Sequence, residues 1–206
     1  MNNICFLITT YARKDACQSL VNSIKDLGNV VVALDGTDYD ICGALNINPK
    51  QHFGKNGYWK IVNMLFRHRI KSKYYFMLPD DFAICELQIV KAIEIWESIE
   101  DKKKICLNLY TDRVGQSCWT RVMPTDKGNV WQTGWVDMCF LCEERFFNEL
   151  GVIPMLHSPR KQVKRGSSGV GAYISRKLNK QGLHFYQVKE SLVNITEEHY
   201  NSKMHV

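Results

Sequence analysis

Short, almost uniformly apolar runs alternate with amphipathic stretches along this chain. Residues 4–8, 30–34 and 74–78 carry no charge, which is the composition of short strands buried on both faces. Between the first two runs, Ala16, Leu20, Ile24 and Leu27 recur at helical spacing, and Gly28 supplies a stop. Strand, helix and strand within about 35 residues predict a parallel sheet with a right-handed crossover. After an irregular stretch to about residue 56, Tyr58, Ile61, Val62, Leu65 and Phe66 form a second apolar face at helical spacing. The run at 74–78 then completes a second crossover. Further on, the pattern predicts a helix over 87–99, a strand over 105–110, a strand over 136–142, a helix over 143–150, a helix over 170–178 and a strand over 184–188. Residues 111–135 lack a clean period but hold Trp119, Trp131 and Trp135, so irregular or antiparallel structure lining a pocket is expected there.

Acids gather where these strands must end. Asp35 and Asp38 follow the second run, and Asp80 and Asp81 follow the third, with Pro79 expected to stop that strand. In open α/β sheets ligands bind outside the carboxyl ends of the strands. Adjacent carboxylates at such an edge can hold a hard divalent cation, which in turn can hold a diphosphate. Taken alone, Asp80-Asp81 equally suits a turn, or a cap for the helix beginning near Glu86.

Bulk composition narrows the class. A chain of 206 residues with 45% apolar and 23% charged content reads as one soluble globular domain. No apolar run approaches the roughly 18 residues of a membrane span. The start, Met1-Asn2-Asn3, has no basic region or cleavage site, so a cytoplasmic location is expected. A net charge of +6 suits an anionic partner. The eight cysteines are scattered through apolar stretches, as buried reduced thiols are. Cys139 and Cys142 have the C-x-x-C spacing, yet on a strand they would point to opposite faces and share no metal.

The order of these pieces over about 190 residues resembles the family 2-like glycosyltransferases of the GT-A fold. Residues 8–14, Ile-Thr-Thr-Tyr-Ala-Arg-Lys, look like that family's opening strand and base-binding loop. Residues 33–38, Ala-Leu-Asp-Gly-Thr-Asp, resemble its second strand end, and 76–81, Phe-Met-Leu-Pro-Asp-Asp, the strand carrying the metal-binding Asp-x-Asp. Gly134-Trp135-Val136-Asp137 looks like the acceptor-side segment. Ser191-Leu192-Val193 with the following residues resembles a tail that closes over the diphosphate and often lends the metal a histidine. Two positions depart from the family's pattern. Pro79 stands where the first Asp of Asp-x-Asp is usual, and Asn194-Ile195 where a histidine is frequent.

The resemblance implies an α/β fold of GT-A type, a mostly parallel twisted sheet with helices on both faces and a small antiparallel acceptor-side portion. Within the single domain it implies a nucleotide-sugar-binding half at about 1–110 and an acceptor-side half with the tail at about 111–206. It also implies an enzyme, a metal-dependent hexosyl- or pentosyltransferase moving a sugar from a nucleoside-diphosphate sugar, UDP-linked by expectation, to a hydroxyl. Thr9, Tyr11, Arg13, Asp35, Asp38, Lys60 and Asp80 are the expected donor-binding residues. Asp81, with His199 or His205, is expected to hold Mn²⁺ or Mg²⁺. Asp137, a lone acid in an apolar segment, is the candidate base, and a base on the acceptor hydroxyl would invert the anomeric centre. For the acceptor, Trp135 and the basic run Arg160, Lys161, Lys164 and Arg165, followed by Ser167 and Ser168, suit phosphate groups. A second basic cluster is Arg67, Arg69, Lys71 and Lys73. The short chain further resembles bacteriophage enzymes of this fold that glycosylate hydroxymethylated pyrimidines in DNA, which would place it in a host cytoplasm. A surface polysaccharide acceptor is the alternative, and a non-catalytic DNA-binding module a second. No protein partner is inferable.

Overall fold

The apolar runs become the strands of one side of a nine-stranded sheet. In this computed structural model, which describes residues 3–111, 119–156 and 169–196, β1 (Ile4–Thr10) is buried along its whole length. It pairs in parallel with β2 (Asn29–Leu34) on one side and β4 (Tyr74–Pro79) on the other. A short β3 (Leu45–Ile47) extends the parallel set beyond β2. The register sets Thr10 opposite Leu34 and Thr9 opposite Pro79. The three strands therefore end level, and their next residues share one edge.

Beyond β4 the sheet turns mixed. β9 (Phe140–Cys142) runs antiparallel between β4 and β6 (Lys104–Asn108). β10 (His184–Val188) lies parallel to β6 and antiparallel to β8 (Gly128–Thr133), which forms a hairpin with β7 (Trp119–Thr125). The order is β3-β2-β1-β4-β9-β6-β10-β8-β7. A separate two-stranded ribbon joins β5 (Phe82–Ala83) to β11 (Asn194–Ile195).

Alternation along the central strands feeds two cores. Phe6, Ile8, Phe76 and Leu78 pack with α1 (Lys14–Ile24) and α3 (Glu86–Ser98) through residues such as Leu20, Ile24, Ile89 and Trp96. Cys5, Leu7, Tyr75 and Met77 face the other way. They pack with α2 (Gly54–Arg67), α4 (Glu144–Leu150) and α5 (Val170–Lys180) through Ile61, Leu65, Phe146 and Ile174. Helices thus cover both faces, as a sheet buried on both sides requires. Cys139 and Cys142 enter opposite cores, and the seven cysteines among the described residues are free thiols.

Pro79 closes β4 as its last residue, opposite Thr9, a strand end where the missing N–H is tolerated. One expectation changes. The apolar stretch 136–142 is not one strand, since only its last three residues pair. Its first part is drawn out of line because Val136 N–H donates to Ser175 Oγ at 2.9 Å and Asp137 N–H to Asn108 Oδ1 at 3.0 Å. The antiparallel portion includes β9, in the middle of the sheet, and the β7–β8 hairpin at its edge.

Candidate active site at the strand ends

The level ends of β1, β2 and β4 bring together Thr10, Arg13, Asp35, Asp80 and Asp81. Asp80 and Asp81 are both buried, at 2% and 6% exposure. Neither caps α3, whose start is closed by Gln88 Oε1 accepting from Cys85 N–H at 2.7 Å. Thr10 Oγ1 instead donates to Asp80 Oδ2 at 2.6 Å. The Arg13 guanidinium bridges the pair, its Nη2 3.1 Å from Asp80 Oδ1 and its Nη1 2.7 Å from Asp81 Oδ2. Burial pushes the Asp80 carboxyl up to about 7, against the pull of Arg13, Thr10 and the Tyr11 N–H, with Asp81 adding to the rise. Two acids forced together in a desolvated edge call for positive charge, and here an arginine supplies it.

Asp137 belongs to the same neighbourhood. It is half-buried in the loop before β9, with its Oδ1 accepting from Met138 N–H at 2.7 Å. Tyr58, on the first turns of α2, shares a hydrogen bond of 3.2 Å with Thr9 Oγ1. Its hydroxyl is raised to about 12, first by burial and then by the negative fields of Asp80, Asp137 and Asp81. Acids from two distant parts of the chain thus act electrostatically on one phenol. The loop holding Asp137 is fastened by Asn108, whose Nδ2 donates to the Trp135 carbonyl at 3.0 Å, and by Asn179 Nδ2 to the Gly134 carbonyl at 2.9 Å. Trp135 lies against α5 where Gly171 leaves room. A methyl there would meet the Val136 carbonyl oxygen at 2.9 Å and the indole at 3.5 Å.

On the β2 side the picture differs. Asp35 is buried, and its two oxygens accept the N–H groups of Phe53 and Gly54 at 2.7 and 2.9 Å. It thereby serves the start of α2, where negative charge is favoured by the helix dipole. His52 Nδ1 lies 3.1 Å from Asp35 Oδ2, and its ring stacks on Tyr11 at 4.1 Å between centroids. Asp38 is exposed. Lys60 lies over the rings of Phe53 and Trp59 and, with His52, Asn56 and Met155, borders a cavity of about 510 Å³.

The chain's later part returns to this edge. Thr196 donates to the Asp81 carbonyl through both its N–H, at 2.9 Å, and its Oγ1, at 3.1 Å. His199 and His205, and Arg160, Lys161, Lys164, Arg165, Ser167 and Ser168, lie outside the described residues. Among the described residues no group of three or more His, Cys, Asp or Glu is placed to hold a metal. The donor chemistry of the Asp80-Asp81 pair nonetheless fits a hard cation, since its carboxylates already close on a guanidinium. Thr10, Tyr58, His52 and Asn108 were not singled out from sequence. Thr10 and Tyr58 sit within segments that were, but hydroxyl pairing leaves no periodic trace.

The basic cluster of Arg67, Arg69, Lys71 and Lys73 is elsewhere. It precedes β4, at the opposite end of that strand from Asp80. Arg69 pairs with Glu144 there, and Lys73 with Glu97 at 2.7 Å. No helix among the described residues is long and apolar enough to cross a membrane.

No protein-family model matches the chain, and no curated protein does. Solved structures do match. TarS residues 1–349 from S. aureus superposes with a TM-score of 0.61 at 13% identity, over 94% of this chain and 60% of that one. A mannosyltransferase from Pyrobaculum calidifontis, solved with GDP-Man and Mn²⁺, gives 0.58 at 12%, over 92% and 55%. GalNAc-T7, solved with UDP, GalNAc and Mn²⁺, gives 0.63 at 11%, over 96% and 45%. The chain thus spans about half the length of these proteins, which are GT-A glycosyltransferases. A mixed sheet with helices on both faces and an acid pair at the end of its central parallel strand carries the GT-A fold.

Proposed function

We propose that this chain is a glycosyltransferase that takes a sugar from a nucleoside diphosphate and passes it to a hydroxyl. The observation that carries the reading is the buried Asp80-Asp81 pair at the carboxyl end of β4, bridged by Arg13, the edge at which open α/β sheets bind ligands. Asp81, with Asp80 beside it, is the place for Mn²⁺ or Mg²⁺. Bound there, the ion would neutralise charge developing on the departing diphosphate. His199 follows Thr196 in sequence by three residues and is the second candidate ligand, with His205 the alternative. Tyr11 and His52, with the cavity bordered by Lys60, Asn56 and Trp59, offer stacking faces and donors for the nucleoside. Asp137 takes the acceptor proton as the hydroxyl attacks the anomeric carbon. Attack opposite the leaving diphosphate inverts the configuration.

For the acceptor, a hydroxymethylated base in DNA is the case to test first, supported by the charge of +6 and the run of residues 160–165. A glycan acceptor is the second reading. It gains from the position of the Arg67–Lys73 cluster at the far end of β4, partly consumed by ion pairs.

The test is release of nucleoside diphosphate from UDP- and GDP-sugars with Mn²⁺, with hydroxymethylated DNA, plain DNA or oligosaccharide present, and products read by mass. Mass gain on modified DNA alone supports the first acceptor, and gain on oligosaccharide the second. Asp81→Asn should lower turnover at least about 100-fold with an unchanged circular dichroism spectrum. DNA binding without turnover of any donor would instead favour a non-catalytic module.

A further inference from the structure

One cation, the Arg13 guanidinium, bridges the two carboxylates of the site. Arg13 sits at the start of α1, directly after Ala12, whose φ of +57° is a left-handed backbone that an L side chain rarely adopts. That turn delivers the guanidinium onto both carboxylates at once, 3.1 Å from Asp80 and 2.7 Å from Asp81. The arrangement is enclosed, with side-chain exposures of 15% for Arg13, 3% for Asp80 and 9% for Asp81. A guanidinium fork and a dication seek the same carboxylate oxygens and repel each other at such range.

We infer that Arg13 is a resident counter-ion of the Asp80-Asp81 pair and must swing away before a divalent ion binds to these carboxylates. This rests on the reading of Asp80-Asp81 as the cation site. It makes metal binding conditional on the donor, because a diphosphate gives the released guanidinium a new bidentate partner. Without Arg13 the two acids lose their compensating charge and take up a divalent ion directly.

The experiment is titration of Mn²⁺ into the donor-free full chain, with free Mn²⁺ read by electron paramagnetic resonance. Arg13→Gln should bind Mn²⁺ at least about tenfold more tightly than the unaltered protein. Arg13→Lys, which keeps the charge, should stay within about twofold of it, and Asp81→Asn should abolish binding. Equal affinity for Arg13→Gln and the unaltered protein, with binding still lost in Asp81→Asn, would overturn the counter-ion role and leave the cation site standing. Absence of Mn²⁺ binding in every variant, with and without UDP, would remove both. Should Arg13→Gln fail to fold, the Arg13 Nε–H resonance of the ¹⁵N-labelled protein provides a second measurement. It should shift on adding Mg²⁺ with UDP, and a resonance unmoved at saturation overturns the inference.

Discussion

At the scale of single residues, the site is a set of pairings that each constrain the next. Thr10 fixes one oxygen of Asp80, Arg13 fixes the other, and the same guanidinium reaches Asp81. Asp137 comes from a different part of the chain, on a loop held by Asn108, Ser175 and Asn179. Asp137→Asn is nearly isosteric and keeps an oxygen for the Met138 N–H, so the loop should persist. The substitution removes the carboxylate's charge, and with it the proposed proton acceptor. The expected result is a kcat lowered about 100- to 10,000-fold with the donor KM little changed, read from initial rates. A kcat near that of the unaltered protein would move the base elsewhere.

At the scale of elements, α2 is started by a residue far outside it in sequence. No side chain next to α2 caps it, and Asp35 at the end of β2 supplies both oxygens instead. Asp35→Ala should therefore cost about 1–2 kcal/mol, as loss of a cap does, seen as a lower urea midpoint. Gly36 follows at φ +71°, and an added methyl would lie 2.3 Å from the His52 nitrogen. This closeness lets the loop before α2 settle against β2. At α4, Glu144 accepts from Arg69 and from the Tyr75 hydroxyl, at 2.7 Å for the latter. Those contacts hold its carboxyl below the usual 4.5, Arg69 contributing most. A folded-state value below the unfolded one gives stability that is present above about pH 4.5 and is lost as pH falls through the folded value. Because Glu144 is substantially exposed, the effect should be no more than about 1 kcal/mol. Glu144→Gln should flatten the acid limb of a urea-midpoint profile below about pH 4.5, and an unchanged limb would assign that loss to other acids.

At the scale of the whole molecule, the parallel half supplies the acids and the mixed half closes over them. Asp137 arrives through β9, inserted antiparallel beside β4. The chain's later segment runs from Ser191, which accepts from the Thr111 N–H, to Thr196 on the Asp81 carbonyl. Truncation after residue 193 would remove β11 and everything beyond it while keeping Leu192 and Val193 in the core. The expected outcome is a cooperatively melting protein whose turnover is lost and whose Mn²⁺–UDP affinity falls at least about tenfold. Unchanged turnover would detach the tail from the site. Electrostatics at this scale also redirects the acceptor question, since the Arg67–Lys73 cluster serves the opposite end of β4 from the acids.

Much of this architecture was legible in the residues. Runs such as 4–8 and 74–78 read as doubly buried strands because apolar continuity is a local property. Likewise, Ile61, Val62, Leu65 and Phe66 read as a helix face because helical spacing is. The acids at 35 and 80–81 could be placed at strand ends for the same reason, and the order of the pieces pointed to the GT-A fold. The pairings could not be read. Thr10 and Asp80 are 70 residues apart, and Thr196 and Asp81 are 115 apart. Short pieces such as β3, β5 and β11 exist only because a neighbour offers them hydrogen bonds. Polar partnership of this kind leaves no period in the chain, so it was the tertiary structure that turned Asp35 to α2 and set Arg13 across Asp80 and Asp81. The sequence by itself determined which edge of the sheet carries the acids. Packing decided which charge meets them there, because only the folded chain sets distances across strands.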